Sequence, residues 1–197
     1  MMIFWRKSLI MISVPKTGTH SYIDHLQSQA DIVFKHPQNM KHMGLNQFTK
    51  KVLPLLSPSK RELDYFGFVR NPVDWLWSWY CYRSRPEIIN RPASTASITF
   101  KEFIRSYLEP DSPPYANVGR QSALLTSPNP PYKANVIFKY ENHNSANEYL
   151  SSKIGIQVKP CKILNQSPQR EKDISRDDVS LLEREVPYEF EIYESAK

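Results

Sequence analysis

The chain has 197 residues, 40% of them hydrophobic and 23% charged, enough for one domain with a real core and unlike a disordered chain. Its 26 Lys and Arg against 20 Asp and Glu leave a net charge of +6, which favours acidic ligands without choosing among them. The cations are scattered and no zinc-finger or RNA-binding signature accompanies them, so the charge alone does not argue for nucleic acid.

The opening Met1-Met2-Ile3-Phe4-Trp5-Arg6-Lys7 is too short and too soon interrupted for a signal segment. Leu9 to Val14 is a short, nearly continuous apolar run, the pattern of a strand buried on both faces of a parallel sheet. It is too short to span a bilayer, so no transmembrane segment is expected there. Pro15 to Gly18 makes a turn, and Thr19 to Gln29 is expected to be a helix with Tyr22, Ile23 and Leu26 facing inward. Asp31 to Lys35 is a candidate second strand, Leu45 to Leu53 a helix stopped by Pro54, and Tyr65 to Val69 a third strand. Asn71 is a good N-cap for a helix from Pro72 to about Arg83, because Pro at the first helical position lacks only an N–H that would be unsatisfied anyway. That helix is apolar nearly all round and is expected to be buried.

Further on, Phe100 to Leu108 is a predicted helix between loops at 86–97 and 110–115, and Val118 to Leu125 is another helix. Asn135 to Tyr140 is a further strand, with a helix over Ser145 to Lys153. Ser175 caps a closing helix to Val186, with Asp178 at capping-box spacing. The 16 prolines fall mostly in loops and indicate structured connections. Alternating strands and helices of these lengths predict an α/β fold, a parallel sheet flanked by helices, as one domain over 1–197. Cys81 and Cys161 are far apart and lack His or Cys neighbours at ligand spacing, which argues against disulfides or zinc and fits a cytoplasmic protein.

Two strand-to-helix turns carry the chemistry. In Val14-Pro15-Lys16-Thr17-Gly18-Thr19-His20-Ser21, backbone N–H groups at a helix start suit an anion, Gly18 permits close approach, Lys16 supplies charge and Thr17, Thr19 and Ser21 supply hydroxyls. The lysine precedes the glycine, which is not the Walker order, so an ATP-using kinase or ATPase is disfavoured. A plain surface turn is the competing reading. In the second, Arg70 stands at the carboxyl end of the third strand, where ligands of open α/β sheets bind. Ser78 lies about two turns into the next helix at ~1.5 Å per residue, so both side chains can address one phosphate. The alternative is local pairing: Arg70 with Asp74, and Ser78 with its own helix.

Together the two turns resemble the sulfotransferase superfamily. Pro15 to Ser21 is similar to its 5′-phosphosulfate loop. Arg70, Asn71, Pro72, Asp74, Ser78 and Tyr80 are similar to its 3′-phosphate motif. The chain departs from the pattern at Trp75, where a second Arg is usual, and at His20. Lys41-His42, Phe138-Lys139-Tyr140-Glu141, Leu164-Asn165-Gln166-Ser167 and Glu189 to Tyr193 resemble landmarks of the carbohydrate-type and bacterial branch, although no roles follow for Glu141, Asn165 or Ser167.

The resemblance implies the sulfotransferase variant of the P-loop nucleotide-binding fold and 3′-phosphoadenosine 5′-phosphosulfate (PAPS) as co-substrate, with no metal. Lys16 would serve the reacting 5′ end with the N–H groups of residues 17–21, His20 would help bind the donor, and Arg70 and Ser78 would hold the 3′-phosphate. His42 matches the catalytic base of part of the family, with His36 as the other candidate. The acceptor, a carbohydrate or other hydroxyl or amine compound, would meet loops at 87–97 and 111–117; the helical spacing of Trp75, Trp77, Trp79, Tyr80 and Tyr82 points to core packing for most of them, with a stacking surface among them as the alternative. Oligomeric state has no signature. A non-catalytic nucleotide- or partner-binding protein on this fold is the rival class.

Overall fold

The computed structural model of the protein describes residues 1–56, 62–128, 131–159, 168 and 170–197. In chain order the strands are β1 (Met2–Phe4), β2 (Leu9–Ile12), β3 (Ile32–Val33), β4 (Asp64–Val69), β5 (Thr126–Pro128), β6 (Pro131–Lys133) and β7 (Val136–Lys139). The helices are α1 (Thr19–Leu26), α2 (Gln38–Lys41), α3 (Leu45–Lys51), α4 (Pro72–Arg83), α5 (Phe100–Leu108), α6 (Gln121–Leu125), α7 (His143–Ile154), α8 (Arg176–Glu185) and α9 (Pro187–Glu194). Backbone contacts divide the chain into two compact units: Met1–Arg70, Gln121–Leu164 and Ser195–Lys197 form one, and Asn71–Arg120 with Asn165–Glu194 the other.

The first unit is α/β. Its five-stranded sheet runs β3-β1-β2-β4-β7, with β2, β4 and β7 parallel. The sheet is mixed rather than parallel throughout, because β1 runs antiparallel to both β2 and β3. This strand was not expected: Met2, Ile3 and Phe4 are fully buried, and a short 3₁₀ turn over Trp5–Lys7 closes on Ser8 at φ +53° to fold them back on β2. Three apolar residues carry too little pattern to be recognised as a strand. Met2, Phe4, Leu9, Met11, Phe66, Phe68 and Phe138 pack with Tyr22, Ile23 and Leu26 of α1 and Ala146, Leu150 and Ile154 of α7. At ~25 cal/mol per Å² buried, such side chains supply ~1.5–3 kcal/mol each and dominate the unit's stability.

On β4 the residue between Phe66 and Phe68 faces the other way and is Gly67. A Cβ there would lie 2.4 Å from Leu125 Cδ2, so its absence is what seats α6 against the strand. The expected helix over Val118–Leu125 is shorter, beginning only at Gln121. Beyond it β5 and β6 pair antiparallel, with partners Thr126↔Lys133 and Ser127↔Tyr132.

The second unit is helical. Asn71 caps α4 by accepting from the N–H groups of Val73 (3.0 Å) and Asp74 (3.3 Å), and Pro72 follows at the first helical position. Thr99 and Glu102 form a capping box on α5, and Ser175 and Asp178 one on α8. Val73, Trp75, Leu76 and Tyr80 of α4 pack with Phe100, Phe103, Ile104 and Tyr107 of α5 and Leu182 of α8. The expected closing helix stops before Pro187, which interrupts the backbone ladder and opens α9 as an additional element. No helix among the described residues is long and apolar enough to cross a membrane.

Candidate functional site

Because β2, β4 and β7 are parallel neighbours, the segments leaving their carboxyl ends emerge on one edge of the first unit. Those segments are the 13–18 turn, Arg70 and Tyr140. The turn is tightly wound: Lys16 has φ +67° and Gly18 φ +68°. Thr17, fully buried, and Thr19 donate their hydroxyl protons to Val14 O at 2.9 and 3.5 Å. Those protons, expected to serve a ligand, are spent inside the turn. Gly18 is the N-cap of α1 and makes no side-chain cap, which leaves that helix start suited to an anion. Ser21 N–H closes back on Gly18 O at 3.0 Å.

Tyr140 brings the two turns together. Its N–H donates to Val69 O at 2.6 Å, extending the β4–β7 ladder by one residue. One side of the ring packs on Gly18 so closely that a Cβ at position 18 would stand 2.8 Å from Tyr140 Cε2. The Arg70 guanidinium lies 5.0 Å from the ring centroid, a cation–π contact worth ~0.5–2 kcal/mol. Arg70 is also held through its backbone: Gln121, fully buried, accepts from Arg70 N–H and donates to Arg70 O, both at 2.9 Å. Arg70 Nε is buried without a hydrogen-bond partner among the described residues, an arrangement that suits an incoming anion.

A basic cluster stands beside the turn. Lys41, only 5% exposed, donates from Nζ to His20 Nε2 at 2.5 Å. Burial lowers the pKa of Lys41, and burial followed by Lys41 lowers that of His20. His42 Nδ1–H donates to Ser13 O at 2.7 Å, fixing the tautomer that keeps the Nε2 lone pair. Burial is the main cause that pushes His42 down to about 4, against the opposing carbonyl bond, so its imidazole is neutral at pH 7.

His36 is exposed, just beyond β3. Ser78 belongs to the second unit, where it is half-buried on α4. Asp74, considered above as a partner for Arg70, pairs with Lys172. Trp75, at the position where the resemblance expects Arg, is 1% exposed and makes an edge contact with Trp79 at 6.2 Å. Trp77, Tyr80 and Phe100 form a further ring cluster, so core packing occupies these aromatic faces. The 87–97 loop is tied down as well: Thr95 Oγ1 donates to Tyr80 O at 2.6 Å, and Arg170 donates to Thr95 O and Ile98 O. Cys161, Asn165 and Ser167 lie outside the described residues.

Sequence reasoning missed Gln121 and gave no role to Tyr140. Tyr140 ends an apolar strand, which is a usable signal, whereas a lone Gln carries none. No group of three or more His, Cys, Asp or Glu suited to a metal occurs among the described residues. No protein-family model matches the chain, and neither does any curated protein or solved structure.

Proposed function

We propose that the protein is a sulfotransferase that binds PAPS on the sulfotransferase variant of the P-loop fold and moves its sulfuryl group to an acceptor hydroxyl or amine. One observation carries the reading: the Tyr140 ring packs against both Gly18 and Arg70, joining an anion-binding turn to a second cation at the carboxyl ends of parallel strands. The ligand this suits has two anionic groups. The proposal uses residues of the first unit alone.

In the reaction, the acceptor oxygen or nitrogen forms a bond to sulfur while the bond from sulfur to the 5′-phosphate oxygen breaks, and the electron pair leaves with the phosphate. Lys16 and the backbone N–H groups of 17–21 stabilise charge growing on that phosphate, with His20 beside them. Arg70 takes the 3′-phosphate. His42 Nε2 receives the acceptor proton, its ring steadied through Nδ1 by Ser13 O. An anionic donor nearby favours the imidazolium and so raises the basicity that burial suppresses. No residue in this scheme requires a metal.

Calorimetry with 3′-phosphoadenosine 5′-phosphate (PAP) against ATP, with and without magnesium, tests it. Magnesium-independent preference for PAP supports the reading; preference for ATP, or binding of neither, refutes it. The buried Trp75 favours a second reading, a non-catalytic nucleotide binder, because the motif's second cation is missing there. PAP binding without transfer from PAPS to any of a panel of phenols, sugars and amines would select that reading.

A further inference from the structure

A hydrogen-bonded chain links α1 to the first residue of α7. Tyr22 Oη donates to Asn147 Oδ1 at 3.1 Å, which spends its only proton. The contact between Tyr22 Oη and His143 Nδ1, also 3.1 Å, must therefore run from the ring: Nδ1–H donates to the phenol oxygen. His143 is thus held in the tautomer that keeps its lone pair on Nε2. The ring is also held against the anion-binding turn. Its Cε1 stands 3.9 Å from where a Cβ on Gly18 would be, and it meets the Tyr140 ring edge-on at 5.2 Å between centroids. Tyr22 is in turn fixed by stacking on Phe68 at 4.7 Å. An imidazole held this firmly at the turn has no part in the reaction just described.

We propose that His143 is a further donor-binding residue, one that takes a solvent proton onto Nε2 when a phosphate or phosphosulfate group occupies the 15–21 turn. The inference rests on the donor site proposed above and adds to it a residue and a proton. In the empty protein burial lowers the pKa of His143, opposed by Glu141, so the ring enters neutral. The titratable groups facing it are Tyr22 from α1 and Tyr140 and Glu141 from the segment after β7; Asn147 on its own helix is neutral. A dianion arriving at Gly18 adds a negative charge to this set and stabilises the imidazolium, making a charge-assisted contact absent from the free protein. The liganded pKa then exceeds the free one, so binding consumes a proton. Affinity is greatest below the free pKa and is lost as pH rises through the liganded value, at up to about tenfold per pH unit for one linked proton.

The test is PAP titration of the full chain by calorimetry, across pH and in buffers of different ionisation enthalpy. His143→Asn keeps a donor for Tyr22 and removes the titrating nitrogen. Wild type should take up protons on binding PAP, with uptake and pH slope reduced in His143→Asn. Equal uptake in wild type and His143→Asn would overturn the inference while leaving the donor site standing; failure of wild type to bind PAP would overturn both. Ring-nitrogen NMR of the wild type needs no variant: PAP should raise the pKa of the His143 resonance, and an unmoved pKa refutes the proposal.

Discussion

Gly18→Ala probes the contact that joins the two turns. Two separable costs follow from the geometry. At φ +68° a Cβ is strained, at about 1–2 kcal/mol for a non-glycine residue in the left-handed region. The same Cβ would lie 2.8 Å from Tyr140 Cε2, so the ring must move, weakening its contact with the Arg70 guanidinium 5.0 Å from the centroid, at about 0.5–1 kcal/mol. The single variant should therefore lose about 1.5–3 kcal/mol in urea unfolding and bind PAP more weakly. In a Tyr140→Ala background the steric part disappears and only the backbone cost remains. A double-mutant cycle should then report a coupling of about 1 kcal/mol between positions 18 and 140. If Gly18→Ala costs the same with and without the Tyr140 ring, the ring does not bridge the two turns and the site geometry argued above is wrong.

Gln121→Leu should destabilise by about 2–4 kcal/mol in urea, since it strips hydrogen bonds from both Arg70 N–H and Arg70 O; an unchanged midpoint would show the clamp to be dispensable. Asn71→Ala should cost about 1 kcal/mol through the lost cap of α4, and Asn71→Asp should recover most of it. His42 is held near a pKa of about 4 against an ordinary 6.5, so the unfolded chain binds the extra proton first as pH falls. That contribution to stability, full above about pH 6.5, is lost on descending to about pH 4 and amounts to ~3 kcal/mol. Unfolding measured from pH 7 to 4 should be flatter in His42→Gln by up to one proton; identical slopes would place His42 in water.

Features announced by adjacent residues were legible in the sequence. The apolar runs of β2, β4 and β7, the Asn71-Pro72 helix start and the Ser175 capping box each lie within a few residues, and each is in the structure at the expected place. What escaped was either too short for its pattern to register, as in β1, or depended on pairing distant segments. Tyr22 meets His143 across 121 residues and Arg70 meets Gln121 across 51, and neither partner has a periodicity that betrays the other. The helix over 118–125 fell short for a local reason: Gly119 takes φ +74°, outside the right-handed helical region, so α6 begins only at Gln121.

Gly18 shows how such distant pairing changes the meaning of a motif. From the sequence, its value is that a ligand can approach the backbone closely. In the folded protein the missing Cβ also makes room for Tyr140, and Tyr140 is where the Arg70 side chain rests. The glycine of the first turn thereby sets the position of the cation in the second, although 52 residues separate them along the chain. Changing the ring should tell the two roles apart. Tyr140→Phe preserves the packing on Gly18 and the guanidinium contact, so it should leave PAP affinity and stability near wild type. Tyr140→Leu fills space without a π face and should weaken PAP binding while costing little stability. If Leu binds PAP as well as Phe does, the ring only fills space and Arg70 is placed by Gln121 alone.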